Sequence, residues 1–181
     1  MSYATFINFP DNFNIGEVSL SKIPDVDDLD GFIFLANKYR NIFRNNFLDN
    51  AYIPYENSIV FFQNLKNDSS RVLYGISLNG NWIGHFGAKD LGDNNIVLDN
   101  AIRFSPLGGR DLFKLINLSL IELIKKNLPN HNILIIVETK NISALKLHKG
   151  IDFKDCSNLF YENLSIDPSN YLIKILNKND S

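Results

Sequence analysis

The chain has 181 residues, a mass of 20.7 kDa and a formal net charge of -2. Its one cysteine, Cys156, excludes a disulfide framework and a zinc site built on several thiolates. The mildly acidic balance argues against a general nucleic-acid binder, yet leaves room for a few local cations around an anionic ligand. Hydrophobic residues make up 45% and charged residues 21%, enough to build a core. The length fits one domain of ~100–200 residues. Met1 to Pro10 carries no basic stretch followed by an apolar run, and no apolar stretch approaches the ~18 residues of a membrane span. The expectation is a cytoplasmic, metal-free protein. Asparagine is abundant, about 26 residues, but spread along the chain, so base-composition bias is the plain reading and each Asn is argued from its position.

Tyr3 to Leu20 mixes aromatic and β-branched residues around a turn and reads as one or two short strands. Pro24-Asp25 opens a helix, with Asp27 and Asp28 at the positive end of its dipole. Leu29, Phe32, Ile33, Ala36 and Tyr39 recur at helical spacing. Arg40 to Asn50 is polar and reads as a loop. Pro54 to Asn67 reads as a second helix, with Ile59, Phe62 and Leu65 on one stripe. Arg71–Leu78 and Trp82–Ala88 are strands joined by Asn79-Gly80, a strong hairpin signal because both turn positions need positive φ. Asn95–Phe104 is a third strand. The loop Ser105-Pro-Leu-Gly-Gly109 then leads into a long helix from Asp111 to about Leu128. Ile133–Val137 is a continuous apolar run, as in a strand buried on both faces. Asn141 caps a short helix through Lys149. Cys156–Ile166 reads as a last strand, and Asp167-Pro168 as the start of a terminal helix to about Leu176. Strands alternating with helices around one sheet predict an α/β or α+β fold.

The unit from Leu98 to Glu138 carries the most chemistry. A glycine loop entering a helix leaves backbone N–H groups at the positive end of the helix dipole, which favours an anion. Gly108 and Gly109 let a phosphate approach the backbone, and Arg110 and Lys114 add charge. The loop is neither a P-loop nor a dinucleotide fingerprint. Further on, His148 lies two helical turns after Asn141, on the face it shares with Ala144.

Several stretches together resemble the GNAT superfamily of acyl-CoA N-acyltransferases. They are Ile83-Gly-His-Phe-Gly87, Leu98-Asp-Asn-Ala-Ile-Arg103, the Gly108-Gly109 loop with its helix, and Val137 through Phe153. Upstream, Tyr39–Arg44 and Pro54–Phe62 resemble the acceptor-side helices of members that act on nucleotide-linked amino sugars. The resemblance implies a central mixed, mostly antiparallel sheet with a parallel pair at the CoA site, flanked by helices. It divides one domain into an acceptor side, about residues 1–70, a CoA-binding part, about 71–155, and a C-terminal strand and helix, 156–181. Two departures stand out. The loop ends in Leu112 where the family has a small residue, and His148 and Asp152 stand where it has Tyr and Gly.

The resemblance implies direct attack of an amine on the thioester of acetyl-CoA. It places CoA against Ile102, Arg103, Leu107, Gly108, Gly109, Arg110, Asp111, Leu112, Lys114, Val137, Asn141 and Ala144. Oxyanion donors come from the buried strand around Ile135–Val137. His148 stands in for the usual Tyr as proton donor to the leaving thiolate, with a reference pKa of ~6.5 against ~10 for a phenol. Asp99, His85 or Glu138 takes the proton of the amine, and His85 also faces the acceptor. Arg40 and Arg44 hold acceptor phosphates. The expected acceptor is a small-molecule amine, a nucleotide-linked amino sugar in a surface-glycan pathway. A protein N-terminus, another small amine, or a non-catalytic acyl-CoA-binding module are the alternatives. A homodimer is compatible with all of these.

Overall fold

The computed structural model describes residues 6–177. The first residues of the Tyr3–Leu20 segment and the last four of the chain lie outside them. Within the segment, β1 (Asn12–Ile15) and β2 (Val18–Lys22) form a hairpin. Helix α1 spans Leu29–Ile42. It begins a turn later than Pro24-Asp25 suggests, because the Asp28 carboxylate accepts the Gly31 amide at 3.1 Å and caps the helix there. It also runs further than expected, taking in Arg40, and a short turn at Arg44–Asn46 follows. Helix α2 spans Tyr55–Asn64.

Strands β3 (Arg71–Leu78), β4 (Asn81–Gly92) and β5 (Asn95–Arg103) form an antiparallel meander. The hairpin turn has Asn79 at φ 51° and Gly80 at φ 76°, as its sequence demands. Helix α3 (Gly109–Asn127) carries the chain across to β6 (Asn132–Glu138), which lies parallel to β5. Helix α4 (Ile142–His148), the two-residue β7 (Lys154–Asp155), helix α5 (Asn158–Asn163) and β8 (Tyr171–Leu176) complete the chain. The eight strands make one sheet in the order β1-β2-β3-β4-β5-β6-β8-β7. This is a mixed sheet with one parallel pair, as the resemblance implies.

Residues 156–176 invert two expectations. Cys156–Ile166 is not a strand but contains α5, and the helix expected through Leu176 is a strand. The physical reason lies in β6. It is buried on both faces and needs a partner on its far edge. Tyr171–Leu176 supplies one: Ile173 and Ile175 are buried on one face, Lys174 between them reaches Asp155 at 2.7 Å, and Leu176 is buried in the α3-side core. Asp167 does not start a helix. Its carboxylate binds Ser169 and Asn170 and closes a turn.

Three apolar clusters line the sheet, one of them formed by Val97, Leu134, Ile173 and Ile175 under the α5 segment. Val72, Tyr74 and Ile76 of β3 face α3 and α4 together with Ile116, Leu120 and Ile124. Leu73 faces the opposite way, into a cluster with Phe32, Ile33 and Phe62 from α1 and α2. Among the described residues no helix is long and apolar enough to cross a membrane.

Gly87 sits where β3 and β4 touch closest. A Cβ there would collide with the Val72 carbonyl oxygen and lie 2.8 Å from Leu73 Cδ1. Backbone cannot yield as a flexible side chain does. Gly87→Ala should therefore lower the unfolding free energy by about 1–3 kcal/mol, read as a lower urea midpoint. An unchanged midpoint would contradict the close approach.

Candidate active site

Strands β5 and β6 pair at only three positions: Asn95 with Asn132, Ile96 with Ile133 and Val97 with Leu134. Beyond them the two strands share no further pairs. The far edge of β6 is fully used by β8, from Ile133 to Glu138. Alternation decides which amides face the opening. The Asn132 amide donates toward β5, to the Asn94 carbonyl at 2.8 Å, and the Thr139 amide donates toward β8, to Asn170 at 2.9 Å. Even-numbered residues of β6 thus point their N–H groups to the β5 side. Ile136 and Glu138 do so where no strand receives them. This refines the expectation of donors around Ile135–Val137: the amides of Ile135 and Val137 turn to β8.

Beyond the end of β5 at Arg103 the chain turns through the glycine loop into α3, which starts at Gly109. Gly108 and Gly109 have φ of 78° and 65°, a left-handed pair that suits glycine and few other residues. No side chain caps this helix end. A Cβ on Gly108 would meet the Leu112 side chain, whereas Gly109 faces open space. Leu107, Gly109, Arg110 and Asp111 are exposed. The Gly109 amide donates to the Pro106 carbonyl at 3.2 Å, so the amides that follow it are the ones left at this helix N-terminus, where an anion is favoured. Leu112, in the position that is small in the resembling family, packs against the α3-side core with its Cδ2 against Gly108. Lys114 reaches from the first turns of α3 toward Gly150, with Nζ 3.3 Å from where a Cβ would sit.

Two expected CoA contacts do other work. Arg103 donates to the carbonyls of Ser105, at 2.6 Å, and Pro106, and its guanidinium lies 5.4 Å from the Phe113 ring centre. It braces the glycine loop from behind. Ile102 is buried in the α1/α2 core, on the opposite face from α3.

On α4, the Asn141 side chain accepts the Ala144 amide at 3.1 Å and so caps the helix. Ala144 packs on the α3-side core beside buried Val137. His148 closes the helix against the Phe153 ring, with centroids 5.8 Å apart. Its Nδ1 lies 3.0 Å from Nδ2 of Asn117 on α3. Burial pushes the His148 pKa down to about 4. At neutral pH the ring is uncharged.

The other face of the sheet carries the remaining candidates. At the β4–β5 bulge, Asn100 adopts φ 53°. Its amide donates to Asp99 Oδ2 at 2.8 Å, and Arg71 Nη2 lies 3.3 Å from the same oxygen. Arg71 also stacks 5.3 Å from the Phe61 ring centre on α2. His85 is ringed by Phe32, Phe62 and Phe104. Burial drives its pKa down to about 3, against an opposing hydrogen bond to the Asn100 backbone. Asp99 and His85 thus meet at Asn100. Glu138 stands apart, at the end of β6 opposite Tyr171, and its charge helps to raise the tyrosine pKa after burial itself.

Arg40 is drawn into the fold. Its guanidinium lies 4.1 Å from the Phe47 ring centre and donates to the Asp49 carbonyl, and burial lowers its pKa. Beside it, Asn37 and Asn41 both donate to the Ile53 carbonyl at 2.9 Å and fix the strap before α2. Arg44 is exposed.

Sequence reasoning named Asp99, His85 and His148 as candidates but not their contacts Arg71 and Asn117. Arg71 opens a strand among apolar residues and Asn117 interrupts an apolar helix face, so a polar residue in a core-facing position was the available signal.

The two neutral histidines link stability to pH. Their unfolded pKa is ~6.5 and their folded values are lower, so the unfolded state binds more protons between these limits. Their contribution is complete above pH ~6.5 and is lost as pH falls toward about 4 for His148 and about 3 for His85. Between pH 7 and 5 the unfolding free energy should drop by roughly 2 kcal/mol per histidine. His148→Phe should remove about half of that slope. Stability independent of pH in this range would contradict the burial of both rings.

No family model matches the chain. No curated protein matches it by sequence. Solved structures do match in fold. The Campylobacter jejuni N-acetyltransferase PseH, in complex with acetyl coenzyme A, superposes with a TM-score of 0.64 at 17% identity, covering 88% of this chain and 98% of that one. A Vibrio cholerae spermidine N-acetyltransferase, in complex with CoA and spermine, gives 0.63 at 18% identity, covering 89% and 94%. A probable acetyltransferase of the GNAT family from Chromobacterium violaceum gives 0.66 at 11% identity, covering 99% and 98%. The chain has the GNAT fold.

Proposed function

We propose that the protein is an acetyl-CoA-dependent N-acetyltransferase that acts on a small-molecule amine. The observation that carries this reading is the opening between β5 and β6 together with the uncapped Gly108-Gly109 cradle at the start of α3. Such a gap offers amide donors to the pantetheine arm, and the cradle offers amide donors to a pyrophosphate. The likeness to acetyltransferase structures that hold acetyl coenzyme A or CoA supports it. The residues present fit that group: a cradle without Cβ atoms, an exposed Arg110 and Lys114 nearby.

When bound, acetyl-CoA supplies an acyl group activated as a thioester. Arg110, Asp111 and Lys114 hold its phosphates, with Leu107, Gly108 and Gly109 shaping the loop. The N–H groups of Ile136 and Glu138 bind its arm and the developing oxyanion. Asp99 accepts a proton from the acceptor amine. Arg71 and Asn100 both engage Oδ2, which presents Oδ1 to the acceptor. As carbon–nitrogen bond formation expels the thiolate, His148 donates a hydrogen bond to the sulfur from a neutral ring. The proton that the amine releases returns to the sulfur through solvent. His85 shapes the acceptor side as a neutral ring, and Arg44 is the cation free to meet an acceptor phosphate.

A nucleotide-linked amino sugar is the favoured acceptor, supported by the resemblance of Tyr39–Arg44 and Pro54–Phe62 to acceptor-side helices of members that use such sugars. Acetyl-CoA should raise the melting temperature, and thiol release should depend on an amino-sugar acceptor. Asp99→Asn should lower kcat by at least about a hundredfold with little change in the KM for acetyl-CoA. No stabilisation at saturating acetyl-CoA would remove the enzyme reading. Stabilisation without thiol release over a panel of amino sugars, amines and peptides would favour a binding module.

A further inference from the structure

Asn117 lies in the middle of α3, between the core positions Ile116 and Leu120, and is 0% exposed. A buried amide needs partners, since an unmade hydrogen bond in an apolar setting is costly. Here the amide reaches a single side chain: Nδ2 lies 3.0 Å from His148 Nδ1. Its Oδ1 is buried with no hydrogen-bond partner among the described residues. An apolar residue would fill this position without that cost. The feature it would lose is the bond to the ring. An amide nitrogen only donates, so the ring nitrogen it meets must accept.

We propose that Asn117 is the positioning residue of this site, holding the His148 ring in the tautomer that carries its proton on Nε2. Asn117 grips one nitrogen and Phe153 packs edge-on against the ring at 82°, so both tautomer and orientation are set by the fold. The other nitrogen keeps its N–H as the only donor the ring can offer. In the opposite tautomer Nε2 would be an acceptor and would oppose a departing thiolate. This catalytic consequence rests on the acyltransferase reading; the tautomer itself does not.

The test is heteronuclear NMR of protein labelled in its histidine rings, where two-bond proton–nitrogen correlations distinguish the tautomers. Loss of signals in His148→Phe assigns that ring, and the His85 and His131 rings report whether each variant is folded. The wild type should show His148 protonated on Nε2. Asn117→Asp, whose carboxylate accepts, should move the proton to Nδ1. Asn117→Leu should release the ring to a mixture and lower kcat roughly tenfold or more, with the KM for acetyl-CoA unchanged. A wild-type ring protonated on Nδ1 overturns the proposal. So does a folded Asn117→Leu protein with the wild-type tautomer. If the tautomers behave as expected but no amine is acetylated, the positioning role stands and the acyltransferase reading fails.

Discussion

The parting of β5 from β6 organises this protein. Three residue pairs hold the parallel strands together, and then each goes its own way. Backbone polar groups inside a sheet are almost always paired, so a gap at its centre has to be held open by something. Here the holding is done from outside the gap. Strand β8 fixes the far edge of β6 along its whole length, and β4 fixes β5 as far as Arg103. A bulge at Asn100, three residues past the last shared pair, breaks the regular course of β5. The amides left facing the gap are therefore held in place by the pairing on the other edge of β6.

Preorganisation extends to both faces of the sheet. On one face α3 and α4 meet through Asn117 and His148; on the other α1 and α2 lie over His85 and the Arg71–Asp99 pair. Each of these polar groups sits in or beside an apolar core. Left unpaired, each would cost about 1–3 kcal/mol, so their retention points to work other than stability. The two faces also divide the chemistry. The Asn117–His148 contact belongs to the α3 and α4 face, and His85 with the Arg71–Asp99 pair belongs to the α1 and α2 face.

Most of the frame was legible in the sequence. Asn79-Gly80 named its turn, the apolar run Ile133–Val137 named a strand buried on both faces, and Gly108-Gly109 before a long amphipathic stretch named the helix entry. The C-terminal segment misled because its signals are short-range. Asp167-Pro168 looks like a helix start, but the vacant edge of β6 outweighs it, and Tyr171–Leu176 pairs along that edge. Compositional bias hid more. Asparagines that look like background turn out to clamp a strap at Asn37 and Asn41, shape a bulge at Asn100 and hold a ring at Asn117. Spacing along one element cannot reveal a bond between two helices thirty-one residues apart. Arg40 misled for a related reason: a cation near a helix end reads as free until a neighbouring ring and carbonyl claim it.

Residue-resolved amide hydrogen exchange with and without acetyl-CoA tests the central claim most directly. The account predicts slowed exchange at Ile136 and Glu138 and at the α3 entry, Arg110 to Leu112, with Ile135 and Val137 already protected by β8. Slowed exchange confined to other elements, or equal change at odd and even positions of β6, would contradict it.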